Sequence, residues 1–532
     1  MNYLRNLKAK AKAQSSVLPS LTDLLGDNDK VLTETEITSR LTTLKDILMF
    51  STTNEKLNEL VDNLTIISHN LPLILIKWRR STQFGQILYI LPWRNFIFTD
   101  TNGIPIVSIL LDILSDMITI SPIFIQSIIK NIVLKIFQGE DKEGSQLSYN
   151  ESQIFQRCHI FLKELVETYP SASLLISNTF KTSFPHYITS TVHCYVAYLT
   201  NVIDSIDYLS DTQSILNLII DKLIWLEMSS QRAAESLAID GTTDSGTTTT
   251  TTTTTMSTTN DNNNANIELA IKCYNIFDTG FDLLLSKLNS ILHPDSLTYD
   301  SSKAEVTIGS LLYIFTTQVI NIDSLINLPF AMVYWSSFSE DLCERTLSKL
   351  WYETIKSSEK GSLDSRSVCI LASMMVESNY ITTDQVVSFL ENAVNWSLDY
   401  SDCNNDITID LNYNPDQHKL FYSVTQSIFY LISCKISEFN MIQLKSLRLL
   451  NLQGLIGTKL NPLLYCLPTI VEQFVEISRD YQIALCSHVI DKNIRLGLDV
   501  SSFFNHSLCY YFPFNSFTFQ LASPKFDSIL CY

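Results

Sequence analysis

Four groups of residues have types and spacing that chemistry can use. Ser171, Ser173 and Ser177 follow Tyr169-Pro170 in a segment of helical periodicity. Serines placed there accept from the free amides of a first helical turn, so Ser171 and Ser173 read as N-caps. His186 and His193 are seven residues apart and share one helix face, as two metal ligands would. No carboxylate or thiol stands at ligand spacing beside them, and the adjacent Cys194 points elsewhere. Asp402, Asn404 and Asp406 begin like an EF-hand loop, but Ile407 replaces the turn glycine and Tyr413 the bidentate acid. Gly241 and Gly246 have Walker-like separation, with Thr247 in place of the lysine and no strand ahead of them. The chain also has no G-x-S-x-G elbow, no H-E-x-x-H and no G-x-G-x-x-G. These failures predict a non-enzyme with no catalytic, cofactor-binding or metal residues, whose chemistry is that of interaction.

The elements that must position such residues are helices. Apolar residues recur at helical spacing in segments of roughly 12 to 20 residues, paired across short polar or proline breaks. In Ile381 to Tyr400, Thr382 and Gln385 have capping-box spacing, and Val386, Phe389, Leu390, Ala393 and Val394 fall on one face. Similar pairs are predicted at Ile106–Ile118 with Pro122–Phe137, Ile154–Thr168 with Ser171–Phe180, and Tyr187–Ile206 with Thr212–Met228. Only 13 glycines and 14 prolines occur in 532 residues, with 45% hydrophobic, which suits helices better than a turn-rich sandwich. A helix pair cannot bury its apolar face alone, so stacked pairs are expected: an all-α, HEAT-like helical-repeat superhelix, or α-solenoid.

The predicted organisation is a mobile basic N-terminal segment at 1–34 and helical repeats at 35–240. A disordered Thr/Asn-rich loop follows at 241–264, then further repeats at 265–511 and a C-terminal tail at 512–532. The nine-threonine run buries almost nothing and carries no chemistry. The apolar region Ile104–Phe137 is interrupted by Asp112, Asp116 and Lys130 and split at Ser121-Pro122, so packed helices are expected rather than a membrane span. Lys plus Arg number 37 against 55 Asp plus Glu, a net charge of −18, so the chain as a whole repels duplex DNA and suits basic protein partners or plain solubility. Eleven cysteines without a C-x-x-C pair, several in apolar helix patterns as at Cys466 and Cys486, read as buried thiols in a reducing compartment.

The stretch Lys459–Asn493, KLNPLLYCLPTIVEQFVEISRDYQIALCSHVIDKN, carries a resemblance. Its order of Asn461-Pro462, Pro468, a Phe-bearing helix, Tyr481 and V-I-x-K-N, followed by Phe512-Pro513-Phe514, resembles the C-terminal part of the TIF-IA family of RNA polymerase I initiation factors. Pro185–Arg232, with V-x-C-Y-V and I-L-x-L-I-I-D-K-L-x-x-L-E, and Arg366–Tyr400, ending in V-N-W-x-L-x-Y, are similar to the same family. The likeness covers most of 150–520. It departs at Met374–Asn379, where relatives carry a basic ending and this chain has Glu377 and Asn379. After Phe514 a looser S-x-K-F remains at Ser523, Lys525 and Phe526.

The resemblance implies binding to RNA polymerase I through its stalk and neighbouring subunits, and a bridge to the promoter-bound core factor that starts ribosomal RNA synthesis. It further implies regulatory kinases as partners, a homodimer as one state of the free protein and residence in the nucleus and nucleolus; little or no direct DNA binding and no membrane are expected from the net charge and the interrupted apolar region. In the family a serine-bearing helix matching Ser171, with Ser173 and Ser177 nearby, docks on the polymerase and is switched off by phosphorylation. A phosphate adds about −1.5 to −2 charges, and a capping serine can also be a switch. The polar segment Gly139–Gln153, with acids near Ser145 and Ser148, sits where relatives carry a phosphorylated acidic loop. Composition alone fits a generic helical adaptor in nuclear transport or trafficking equally well.

Overall fold

Apolar stripes at helical spacing become helices throughout the described residues. In this computed structural model those are 24, 33–51, 57–72, 74–75, 81–98, 103–140, 142, 144, 146–242, 256–322, 324–359, 365–404, 414–495 and 520–530. The chain forms two compact units, one from Met1–Lys222 with Arg232–Gly280, the other from Leu223–Gln231 with Phe281–Tyr532. Among the described residues the one strand-like pairing is an isolated bridge between Ser378 and Leu530.

The first unit begins with α1 (Glu34–Ser51), α2 (Leu57–His69), α3 (Ser81–Ile90) and α4 (Gly103–Ile120). Helix α4 is apolar enough to cross a membrane by length and composition, but half of it is buried against protein. Ile106, Leu110, Ile113, Leu114 and Met117 fill its interior face, and it packs on α2 and on α5 (Tyr149–Thr168). Gly103 starts it because a Cβ there would lie 1.7 Å from the Ile97 carbonyl oxygen. The helix expected at Pro122–Phe137 is instead assembled from a 3-10 turn, two short α segments and a π turn at Ile129–Val133. Then come α6 (Ser171–Thr182) and α7 (Val192–Asp204). Helix α7 begins later than the expected Tyr187, because Thr191 caps it by accepting from the Cys194 amide at 3.2 Å.

Helices α8 (Thr212–Thr242) and α9 (Met256–Leu292) each lend residues to both units. They run into both ends of the expected Thr/Asn-rich loop, and 243–255 lie outside the described residues. The division between units falls inside these helices, at Lys222/Leu223 and Gly280/Phe281, rather than at that loop. Both helices carry apolar core residues on either side of the division, Leu218 and Leu226 on one, Ile276 and Leu284 on the other.

The second unit continues with α10 (Ser301–Ile314), α11 (Phe330–Ser336), α12 (Glu340–Glu359), α13 (Arg366–Glu377) and α14 (Thr383–Cys403). Its centre is α15 (Lys419–Lys435), buried nearly all round, with Phe421, Val424, Ile428, Phe429 and Ile432 fully buried and Ser423, Thr425, Gln426 and Ser427 inside beside them. A helix of that pattern must be covered on every side, and α15 packs against α13, α14 and α19 (Pro468–Asp480). Before α19 come α16 (Met441–Leu449), α17 (Leu452–Ile456) and α18 (Pro462–Tyr465); α20 (Ser487–Arg495) follows it.

Candidate docking and phosphorylation site

Helix α6 sorts the three candidate serines. Tyr169-Pro170 turns the chain into it, the Ala172 amide donating to the Tyr169 carbonyl at 2.8 Å. The N-cap position belongs to Pro170, and no side chain caps the helix. The expected capping role of Ser171 and Ser173 is therefore corrected: proline takes the cap position, and Ser171 is already the first helical residue. Ala172, Ser173, Ile176, Ser177, Thr179 and Phe180 face inward. Ser173 Oγ accepts from the Ser210 amide at 3.1 Å and lies 2.9 Å from Ser210 Oγ, and Ser177 Oγ donates to the Ser173 carbonyl. Their hydroxyls hold the structure together. Ser171, Leu174, Asn178 and Lys181 are exposed at helical spacing, so they form one outward face, with Leu174 at 60% exposure. A phosphate on Ser171 meets solvent and the positive end of the helix dipole, so it changes the charge of the face without disturbing the helix.

That face is held in place by its seat. Phe180 lies parallel to Phe137 with centroids 6.1 Å apart and meets Tyr198 edge-on, while Tyr198 Oη donates to the Phe180 carbonyl. In the first turn of α5, Glu151 is fully buried and accepts four hydrogen bonds: His193 Nε2 at 2.7 Å, Lys142 Nζ at 2.9 Å, and the Glu140 and Ser148 amides at 3.0 and 2.8 Å. Burial raises the carboxyl's pKa, but these donors, His193 first, outweigh it and hold Glu151 well below the usual carboxylate range. Ser148 caps α5 in a reciprocal box with Glu151, so this serine of the Gly139–Gln153 segment has a structural task; Ser145 lies outside the described residues. Gly139 has φ +65°, and a Cβ there would meet Ala197 and Glu151 at about 3 Å. Arg94 then ties the loop down, donating to the Gly139 carbonyl at 2.9 Å with its other guanidinium nitrogens on Gln138 and the Cys194 thiol. His186 and His193 do not meet over a metal, and no group able to hold one occurs among the described residues.

The stretch Lys459–Asn493 resolves into backbone solutions. Asn461 sits in the left-handed region at φ 46°, the conformation that asparagine tolerates best after glycine. Its amide pairs reciprocally with that of Asn493, at 2.7 and 3.3 Å, so the N-P and K-N ends of the motif touch. Pro462 and Pro468 each take a first helical position, where a missing amide costs nothing. The Tyr481 carbonyl accepts both Arg448 nitrogens, at 3.2 and 3.1 Å. Phe474 stacks on Phe429 of α15 with centroids 4.1 Å apart. Cys466 and Cys486 are buried as expected, and burial pushes the Cys486 thiol up to about 11. Phe512, Pro513 and Phe514 lie outside the described residues.

Two motif segments that the sequence marks only by resemblance serve as internal anchors. Glu227 closes the L-x-x-L-E motif and is 2% exposed, accepting from the amides of Ile326, Asn327 and Leu328 at 2.8, 2.6 and 3.1 Å. Burial nonetheless raises its pKa. Its signal was available, since Glu227 lies four residues after Leu223 and seven after Ile220, on the apolar stripe of α8. The S-x-K-F remnant forms the other anchor. Lys525 contacts Asp282 and donates to Ser286 Oγ at 2.9 Å, while Phe526 is fully buried beside Phe330 and Tyr334. Asn379, one of the departures from the family pattern, receives this segment: its amide donates to the Ile529 carbonyl and its side chain to that of Ser528.

The described residues thus form an all-α protein of stacked helices, with one helix face, on α6, left exposed. Residues 24–525 match the family described as RNA polymerase I specific transcription initiation factor RRN3, and the chain belongs to that family. It is 24% identical to the RNA polymerase I-specific transcription initiation factor RRN3 of Mus musculus over 70% of this chain, and 21% identical to rrn3 of Schizosaccharomyces pombe over 69%. The aligned parts span 58% and 65% of those relatives' own lengths. The fold matches the crystal structure of RNA polymerase I transcription initiation factor Rrn3 with a TM-score of 0.73, over 96% of this chain and 97% of that one, at 17% identity. The expected all-α helical-repeat fold is thereby borne out.

Proposed function

We propose that this chain is an RNA polymerase I transcription initiation factor of the nucleus and nucleolus. It binds the polymerase through the outward face of α6 and bridges it to the promoter-bound core factor. Phosphorylation of Ser171 weakens the first contact. Family membership supports the reading, and the observation that carries it to residues is the separation within α6: Ser171 and Leu174 exposed, Ser173 and Ser177 buried. A kinase can reach the first serine in the folded protein, whereas the other two require opening of the helix. The acidic chain suits contact with protein rather than duplex DNA.

Affinity purification of the tagged full chain with identification of subunits tests the reading. Recovery of the largest polymerase I subunits is expected; recovery of only importins, coat proteins or membrane components would sink it. Ser171→Asp should reduce the polymerase recovered and Ser171→Ala should not. Equal recovery with both removes the switch while leaving the docking face open to Leu174→Asp.

A further inference from the structure

A second surface, in the unit built around α15, has the chemistry of a binding site. Helices α12 and α14 flank a cleft of about 460 Å³ whose floor includes Trp351, Met375 and Phe389. Trp351 is half-buried and meets Phe389 and Trp396 edge-to-face at 5.3 and 6.4 Å. Around this apolar floor stand Glu340, Glu344 and Asp384, and no Lys, Arg or His is among the lining residues. The cations of α12 are engaged elsewhere. Arg345 makes a bidentate pair with Glu305, both contacts at 2.7 Å, and Lys349 pairs with Glu353 at 2.8 Å. Asp384 accepts from Gln443 at 2.6 Å, which fixes its carboxylate at the rim.

We propose that this cleft binds a basic linear segment of a protein partner, with one apolar or aromatic side chain on the Trp351–Phe389 floor and flanking Lys or Arg side chains on the carboxylates. Charge complementarity selects this occupant. Three carboxylates without a lining cation disfavour acidic peptides and nucleic acid, and an aromatic floor favours a cation's stem or an anchoring ring over a small polar ligand. The proposal does not rest on the reading of Ser171, which lies in the other unit.

The test uses the full chain and a fluorescein-labelled peptide of about ten residues, Lys- and Arg-rich with one central phenylalanine, followed by fluorescence anisotropy. Because the whole chain is acidic, the internal control decides the outcome. Glu340→Gln with Glu344→Gln should weaken binding by about five- to tenfold, in line with two partly screened charge pairs. Glu164→Gln with Glu167→Gln, two exposed acids of α5, should leave it unchanged. Ser388→Lys, which puts a cation in the lining, should abolish binding, and replacing the peptide's phenylalanine by serine should remove most of it. Equal losses from the two glutamine pairs would mean that the peptide senses only net charge, and the proposal falls. It falls equally if the phenylalanine-free peptide binds as well as the original. Melting temperatures of the variants, whose substitutions are all at exposed positions, are expected to match that of the parent.

Discussion

Helix α6 and the stretch Lys459–Asn493 carry opposite kinds of information. The second is easily recognised, and its marked residues are spent on the chain itself: a left-handed asparagine, an amide pair, two helix-starting prolines and a carbonyl that holds an arginine. Helix α6 has an ordinary composition of serine, alanine and leucine, yet it turns one serine and one leucine outward on a rigid seat. Residue types that stand out in a sequence are those that solve backbone problems, because few alternatives exist. An outward face asks only for exposure and charge, which many residues supply.

The largest effect should come from an internal anchor. Glu227→Ala leaves three amides without their acceptor, those of Asn327 and Leu328 buried and that of Ile326 part-buried, and should cost about 3–5 kcal/mol, read by urea denaturation; a loss under about 1 kcal/mol would show that the motif glutamate is not structural. Next is Glu151→Gln, expected to cost about 2–4 kcal/mol and to alter the response to acid. The native Glu151 carboxyl titrates below its ordinary value of 4.5, so its stabilisation is complete above that pH and is lost as pH falls below it. The parent should therefore lose stability on acidification below about pH 4.5 more steeply than the glutamine variant; parallel curves would break the assignment. Asn461→Ala, which strains a left-handed residue and removes an amide pair, should cost about 1–3 kcal/mol. Asn461→Gly should cost less, because glycine accepts φ 46° freely. The smallest stability change belongs to α6 itself: Ser171→Asp should stay within about 0.5 kcal/mol of the parent while binding to polymerase falls. A large stability loss there would erase the contrast between the two regions.

Much of the fold was legible because helix periodicity is a local signal. The box of Thr382 and Gln385 forms as the spacing predicts, the Thr382 hydroxyl accepting from the Gln385 amide at 3.3 Å and the glutamine side chain returning to the Thr382 amide. Helix α6 starts at the expected Ser171. The break at Ser121-Pro122 is real, but the π turn after it was hidden, since a continuous apolar run reads alike in any helix type. Within the candidate site, sequence located the serines and not their directions. The partner that holds Ser173, Ser210, lies 37 residues on and is reached only through the fold. Glu151 carried a readable signal, the S-x-x-E spacing from Ser148, whereas its pairing with His193 spans 42 residues and has no local trace.

The seat of Phe526 has a consequence for synthesis. Lys525 joins Asp282 across 243 residues, a closure whose chain entropy alone costs roughly 5 kcal/mol. At ordinary translation rates the later residue follows the earlier by roughly 10 to 50 seconds. Phe330 itself precedes Phe526 by 196 residues, roughly 10 to 40 seconds of synthesis, and through that shorter interval it and Tyr334 lack their partner ring. Two core aromatics of the second unit therefore gain their last neighbouring ring only when residue 526 is made.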